Sequence, residues 1–429
     1  MTEDKDNSPQ ITNDRWIELK QIWYQLFELR QIEASDTVKD CSLLMCLGAI
    51  LNKHFLTFHL KTSRKIEDLR LHLVWMIDSR AGKGEVTGLM HDVCSGFIII
   101  ALPTSISDTA QIGGADRKGK EVEGIYKTND LCIHDEFENF FKNKDWNSDV
   151  FGNIRKNCDT YMSATNYLRN TKISTDKIEG FYGKSTLFLS SYPILECIQQ
   201  IVESGTFQRF VFIFEKVDIA KSKRIFVALK QKPKDEKILT DKLLTEKMAS
   251  FRQIITAILN ESSSISLGDE AYNETVDEFI VETEKHYNSQ SEEVARLIRS
   301  YQVGLLLQIQ KISAIVGIVR GKPVVEAKEI QYAKNLVMEN FNRLILETSL
   351  FGVEYEKVKQ WVDDVRTALK NQVEPLSKME INKLMGVYWG LKSPNSINDR
   401  LKKVVPFTLE LCRKEANTEY WRLKSIYGG

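Results

Sequence analysis

Hydrophobic positions change period twice along this chain, and the changes divide it. Residues 15–32 set Trp16, Leu19, Trp23, Leu26 and Phe27 on one helical stripe, and a second helix is predicted over 35–53. From 69 to 215 short apolar runs take over, at 71–77, 96–103, 131–134, 186–190 and 211–215, each of strand length. From about 234 the helical period returns, with helices predicted over 240–259, 269–289, 291–319 and 327–350. Gly321-Lys322-Pro323 reads as a turn before extended Val324-Val325. The tail reads as a helix over 355–369, helices over 376–387 and 396–404, and strands over 407–412 and 420–426. Alternating strands and helices imply an α/β fold with a mainly parallel sheet and ligands at the carboxyl ends of its strands. Helix, helix and hairpin in the tail make a winged helix.

The expected domains are a helical N-terminal region (1–65), an α/β core (66–235), a helical lid (236–352), a linking helix (353–370) and the winged helix (371–429). Residues 1–13 read as a disordered lead-in. A length of 429 residues fits two or three domains. Basic and acidic residues number 59 each, so no global basic field points to nucleic acid and any such site must be a local patch. Seven scattered cysteines without a C-x-x-C pair argue for reduced thiols inside the cell and against a zinc site. No run of about 18 apolar residues stands out, so no membrane span or signal peptide is expected.

The candidate chemistry starts at 69–89, LRLHLVWMIDSRAGKGEVTGL. A strand runs into Asp78-Ser79-Arg80-Ala81-Gly82-Lys83-Gly84, and a helix follows from Glu85. Strand, Gly-Lys loop and helix is how a P-loop is built: backbone N–H groups surround a polyphosphate and a lysine reaches its outer phosphates. The match is degenerate, because Ile77 stands where the first glycine belongs and Gly84 where Ser or Thr would hold Mg²⁺. The next strand, LCIHDEF, ends in Asp135 and Glu136. One of these acids suits Mg²⁺ and the other suits orienting and deprotonating a water. His134 and Cys132 read as core.

The strand STLFLSS ends in Ser190 and Ser191; lying between the two motif strands, it could aim a hydroxyl at a γ-phosphate. Arg209, just before the strand VFIFE, could be held rigidly at a subunit edge and supply charge to a neighbour's phosphates, or could form a structural salt bridge. Arg296 and Arg299 share a helix face and could reach back over the nucleotide. Residues 115–126, ADRKGKEVEGIY, read as a protruding hairpin or an ordinary turn. In the tail, Arg400, Lys402 and Lys403 lie on the would-be recognition helix and could contact phosphates, with protein contacts the equal alternative.

With these segments in this order, the chain resembles an AAA+ ATPase, and more closely the minichromosome-maintenance-like helicases, including stand-alone forms of prokaryotes and mobile elements. IDSRAGKG corresponds to Walker A, TAQIGGADRKGKEVEG to the helix-2 insert, CIHDEFENF to Walker B, LFLSSYP to sensor 1 and FQRFVFIF to the finger segment. The resemblance spans about 69–350, and the winged helix also fits. It implies ATP and Mg²⁺ as cofactors, with Lys83 on the phosphates, Asp135 on the metal and Glu136 activating water. Ser190 or Ser191 would sense the γ-phosphate, and Arg209 would act on the next subunit of a hexameric ring. Arg117, Lys118 and Lys120 on one hairpin, with Arg169 and Lys172 on a second, would grip single-stranded or forked DNA. A primase or initiator is an implied partner, at a replication site in the cytoplasm or nucleoid. Serines replace the sensor asparagine, and no zinc-bearing N-terminal collar is present. Two rivals stand beside the helicase: an initiator or loader that binds DNA with little unwinding, and a P-loop kinase.

Overall fold

The computed structural model describes residues 14–60, 66–77, 82–102, 113–115, 121–135, 154, 157–158, 165–170, 175–181, 184–190, 207–215, 222–223, 234–287, 292–347, 353–372, 374–415 and 418–423. Two helices open it, α1 (Arg15–Leu29) and α2 (Asp36–Lys53). Asp14 caps α1 by accepting from Trp16 N at 3.0 Å, and Ser35 caps α2 through Val38 N at 3.3 Å. The predicted stripe of α1 is buried. Helix α2 is buried on nearly every side, which places it inside rather than on the surface. Strands β1 (Thr57–Leu60) and β2 (Ile66–Asp68) follow. Neither was expected, because three or four residues are too few for a period to register.

The central sheet contains β3 (His72–Ile77), then helix α3 (Lys83–Cys94), then β4 (Ile100–Ala101). A ribbon of β5 (Gly113–Ala115) and β6 (Glu121–Glu123) precedes β7 (Leu131–His134). A second ribbon, β8 (Thr165–Asn170) and β9 (Thr175–Phe181), precedes β10 (Ser185–Ser190) and β11 (Val211–Glu215). The sheet order is β11-β3-β10-β7-β4, and every pairing is parallel. Strands β3, β7, β10 and β11 are buried throughout, as near-continuous apolar runs require. The run 96–103 corrects the expectation of a strand buried on both faces. Only Ile100–Ala101 pairs, at the sheet edge, and the flanking Ile99 and Leu102 are exposed.

The helical part comprises α4 (Lys234–Glu261), β12 (Ile265–Leu267), α5 (Asp269–Tyr287), α6 (Glu292–Val319), β13 (Val324–Val325) and α7 (Ala327–Glu347). Strand β12 pairs in parallel with β1 and with β13, giving a second sheet of order β13-β12-β1-β2. The N-terminal strand β1 is therefore paired with a strand of the helical part. Arg320, just after α6, donates to Asp14 at 2.9 Å and also to Glu329. Trp16 stacks edge-on against Tyr332, and the Tyr332 hydroxyl donates to Asp40 at 3.0 Å. On the other side, Arg252 of α4 donates to the carbonyl of Asp92 in α3 at 2.7 Å. Residues Tyr301–Val319 of α6 are long and apolar enough to cross a membrane by composition, which corrects the expectation of no such stretch. They are 72% buried within the protein, as a core helix is.

The tail consists of α8 (Val353–Leu369), β14 (Leu376–Ser377), α9 (Lys378–Tyr388), α10 (Pro394–Thr408), β15 (Leu409–Glu415) and β16 (Thr418–Leu423). Strands β14 and β15 flank β16. Ser377 and Glu380 form a capping box at the start of α9. Helix α8, expected as a linker, packs on the elements that follow it: Trp389 Nε1 donates to Asp364 at 2.8 Å, and Val362, Val365 and Leu369 are buried.

Candidate nucleotide site and nucleic-acid interface

The chain leaves β3 at Ile77 and re-enters the description at Gly82; Asp78, Ser79, Arg80 and Ala81 lie outside the described residues. Gly82 has φ +88°, a left-handed conformation open to glycine at little cost, and from it α3 starts, with Val86 N bonding Gly82 O at 3.1 Å. The free N–H groups of the first turn and the positive end of the helix dipole face the carboxyl edge of the sheet. Lys83 Nζ stands 3.2 Å from Asp135 Oδ1, the first residue beyond β7, and that carboxylate is 59% exposed. Glu136 lies outside the described residues. The open edge thus brings together a helix N-terminus, an ammonium and a carboxylate, a set that can hold a phosphate beside a divalent cation.

Among the described residues, Gly84 meets no heavy atom within 4 Å of where a Cβ would stand, which leaves room there for a hydroxyl side chain. The next hydroxyl, Thr87, does not replace it: its Oγ1 donates back to the carbonyls of Lys83 at 3.2 Å and Gly84 at 3.1 Å. Glu85 is exposed in the first turn of α3. Ser190 ends β10, opposite Met76 of β3 and two positions beyond the Phe188–His134 pairing. It is buried; Ser191 lies outside the described residues.

Residues absent from the sequence reading also border this edge. Ile32, in the turn between α1 and α2, lies 4.0 Å from the Cβ position of Gly82, and Ser35 N donates to Glu215 Oε1 at 3.0 Å. Arg343 of α7 donates to Phe214 O at 2.9 Å, at the end of β11. Neither Ile32 nor Arg343 belongs to a sequence motif; only the tertiary fold brings them here.

Arg209 lies at the opposite edge. Val211 pairs with Leu73 and Glu215 with Ile77. At about 3.3 Å per residue, Arg209 is roughly 20 Å from the edge that carries Lys83. Helix α6 passes under it: a Cβ on Gly304 would come within 1.8 Å of Gln208 O, and Gln308 Nε2 donates to Arg209 O at 2.9 Å. Lys311, further along α6, donates to Asp68 Oδ1 and to Arg70 O, both at 2.9 Å, beneath the start of β3. Arg296 and Arg299 stand on α6 upstream of Gly304.

The amino edge is held by buried charge. Burial pushes the Asp68 carboxyl up, but Arg70 at 2.6 Å and Lys311 hold it well below the usual carboxylate range. Burial, then Lys311 and Arg70, push the His72 imidazole well below its usual value. Burial likewise pushes His134, stacked on Phe188, down to about 3. Both histidines are neutral core groups.

Of the expected nucleic-acid contacts, Arg117, Lys118, Lys120 and Lys172 lie outside the described residues, and Arg169 is placed only as a backbone position on β8 opposite Asp176. Arg400 is taken up by packing: its guanidinium sits 4.8 Å from the Trp361 ring and 5.6 Å from Trp389. Lys402 and Lys403 are exposed on α10. No protein-family model matches this chain, and no curated protein matches it in sequence.

Proposed function

We propose that this chain is an ATP-driven DNA helicase or translocase that works in replication as a ring, with the AAA+, minichromosome-maintenance-like organisation its motifs resemble. One observation carries the reading: Lys83 and Asp135 converge at 3.2 Å on the carboxyl edge of an all-parallel sheet, with the Ser190 strand between theirs. In this reading Lys83 neutralises the β- and γ-phosphates and the first-turn N–H groups of α3 cradle them. Asp135 holds Mg²⁺ directly or through water, Glu136 orients the attacking water, and Ser190 or Ser191 reports the γ-phosphate. Arg209 is some 20 Å away within its own chain, so it serves the site of the next subunit. Supplying charge from a neighbour makes hydrolysis depend on assembly. Lys402 and Lys403, with the two β-ribbons, would hold the DNA backbone, and a primase or initiator would work alongside.

Strand displacement on a forked duplex tests the reading: wild type unwinds with ATP and Mg²⁺, and Lys83→Ala does not. One observation favours a second reading, a loader or initiator in which nucleotide chiefly holds an assembly together. Gly84 supplies no hydroxyl to the metal, and the Thr87 hydroxyl faces its own helix. Nucleotide-dependent assembly on DNA without strand displacement would favour the loader.

A further inference from the structure

Two exposed helix faces have no partner among the described residues, and each supplies what the other lacks. On α9, Met379, Lys383 and Val387 lie at four-residue spacing along one face. Met379 is 78% exposed and Val387 80% exposed, unusual for large apolar side chains at the surface of a folded domain. Glu380, the only acid of α9, is turned away into its bond with Ser377. Lys383 forms no ion pair among the described residues. On α5, Glu274, Asp277 and Val281 lie at i, i+3 and i+7, again one face, with Ile280 beside Val281. Val281 is 53% and Ile280 40% exposed, and neither Glu274 nor Asp277 forms an ion pair among the described residues.

Spacing matches as well as chemistry: Lys383 precedes Val387 by one helical turn, and Asp277 precedes Val281 by one turn. We infer that α9 of one copy docks on α5 of a second copy, Lys383 against Asp277 and Val387 against Val281. Both faces are exposed in the single chain, so neither covers the other in cis. Because the two patches differ, the contact is head-to-tail and leaves a free patch of each kind at the ends. Such contacts propagate until they close into a ring or grow into a filament. The inference rests on the self-assembling reading proposed above and adds to it the winged helix as a second clamp between neighbours. An apolar face with lysine at its centre fits an acidic, apolar protein surface better than it fits the polar backbone of DNA.

Sedimentation of the full chain with Mg²⁺ and a slowly hydrolysed ATP analogue, over a range of protein concentrations, tests it through a charge swap. Lys383→Glu and Asp277→Lys should each raise the half-assembly concentration by about tenfold, since each sets like charges opposite one another. The double variant Lys383→Glu/Asp277→Lys should return to within about threefold of wild type. Single variants that assemble like wild type, or a double variant no better than the singles, overturn the inference. So does a loss of DNA affinity in Lys383→Glu that the second substitution leaves unrepaired, which would make α9 a DNA-facing surface. A charge swap that restores assembly while nucleotide has no influence on assembly supports the docking and defeats the motor reading. Failure of the swap with nucleotide-dependent assembly intact does the reverse.

Discussion

Lys83 and Asp135 are 52 residues apart in sequence and 3.2 Å apart in space, ammonium against carboxylate at an open edge of the sheet. As a surface bridge such a pair contributes about 0–1 kcal/mol to stability, too little to explain its placement beside a helix N-terminus. In the proposed reading its two members serve a triphosphate and its cation.

Replacing Lys83 by Ala removes a charge-assisted contact of about 1.5–3 kcal/mol. The expected loss in Mg²⁺–ATP affinity by calorimetry is therefore roughly 10- to 150-fold, with hydrolysis abolished. Asp135→Asn should keep metal-free nucleotide binding and lose its enhancement by Mg²⁺. Both variants should keep the melting temperature within a few degrees. Binding equal to wild type in both would reduce the pair to a surface ion pair.

Gly84→Thr tests the metal position from the other direction. There is open space around that residue, and replacing glycine inside a helix gains a few tenths to about 1 kcal/mol of stability. The added hydroxyl faces the site where Mg²⁺ is proposed. Hydrolysis should rise and the Mg²⁺ concentration for half-maximal rate should fall. A variant that is more stable yet unchanged in metal dependence would mean that the cation is held elsewhere.

Much of this arrangement was legible in the sequence because it is local. The strand runs at 71–77, 186–190 and 211–215 end where the period says, and the helices of 234–347 lie within six residues of their expected bounds. The expectation that the Ser190 strand separates the two motif strands agrees with the sheet order. What the sequence did not disclose is tertiary. The three- to four-residue strands β1, β2 and β12 acquire meaning only by pairing with one another. Arg296 and Arg299 could be set on one helix face by their spacing, but no period in the sequence announces that Gly304 of the same helix meets the turn at Gln208. Arg400 looked like a phosphate ligand until the tryptophans 11 and 39 positions upstream (400 − 389 and 400 − 361) closed on it.

The placement of Arg209 predicts complementation. Subunits of Lys83→Ala and of Arg209→Ala should each be inactive alone. Mixed in equal amounts they should regain ATPase, because some interfaces then pair an intact Lys83 with an intact Arg209. Gly304→Ala should weaken the same function indirectly: its methyl cannot fit 1.8 Å from Gln208 O, and the shifted turn should cost about 1–3 kcal/mol by denaturant titration. Arg209→Ala with full activity in a verified assembly would remove the residue from the mechanism.

The buried histidines set a limit on the acid side. His72 and His134 are held neutral in the folded chain, well below their usual value, and ionise freely once unfolded. Below about pH 6.5 the unfolded state therefore binds more protons, and stability falls with pH by about 1.4 kcal/mol per histidine per unit. Asp68, depressed by its basic neighbours, adds its own loss only at lower pH, when the unfolded carboxylate takes up protons near 4. Chemical denaturation at pH 7, 6 and 5 should show this decline. His134→Phe should make it shallower by about half, because one of two titrating groups is then gone. An unchanged slope would place the acid sensitivity in other groups.

Helix α10 offers a test that separates packing from the proposed binding on a single helix. Arg400 lies between Trp361 and Trp389, tying α10 to α8, whereas Lys402 and Lys403 point to solvent. Arg400→Ala should loosen the tail, by about 1–2 kcal/mol for a partly desolvated cation between two rings, read as faster hydrogen exchange in α8 and α10. A joint Lys402→Ala/Lys403→Ala variant should leave that exchange unchanged and weaken DNA binding without regard to sequence. If both lysines meet phosphates, the slope of log affinity against log salt should become less steep by about 2. Should the lysine pair change neither affinity nor salt slope while Arg400→Ala changes exchange alone, the winged helix would serve protein contacts and the DNA would be gripped by the rest of the chain.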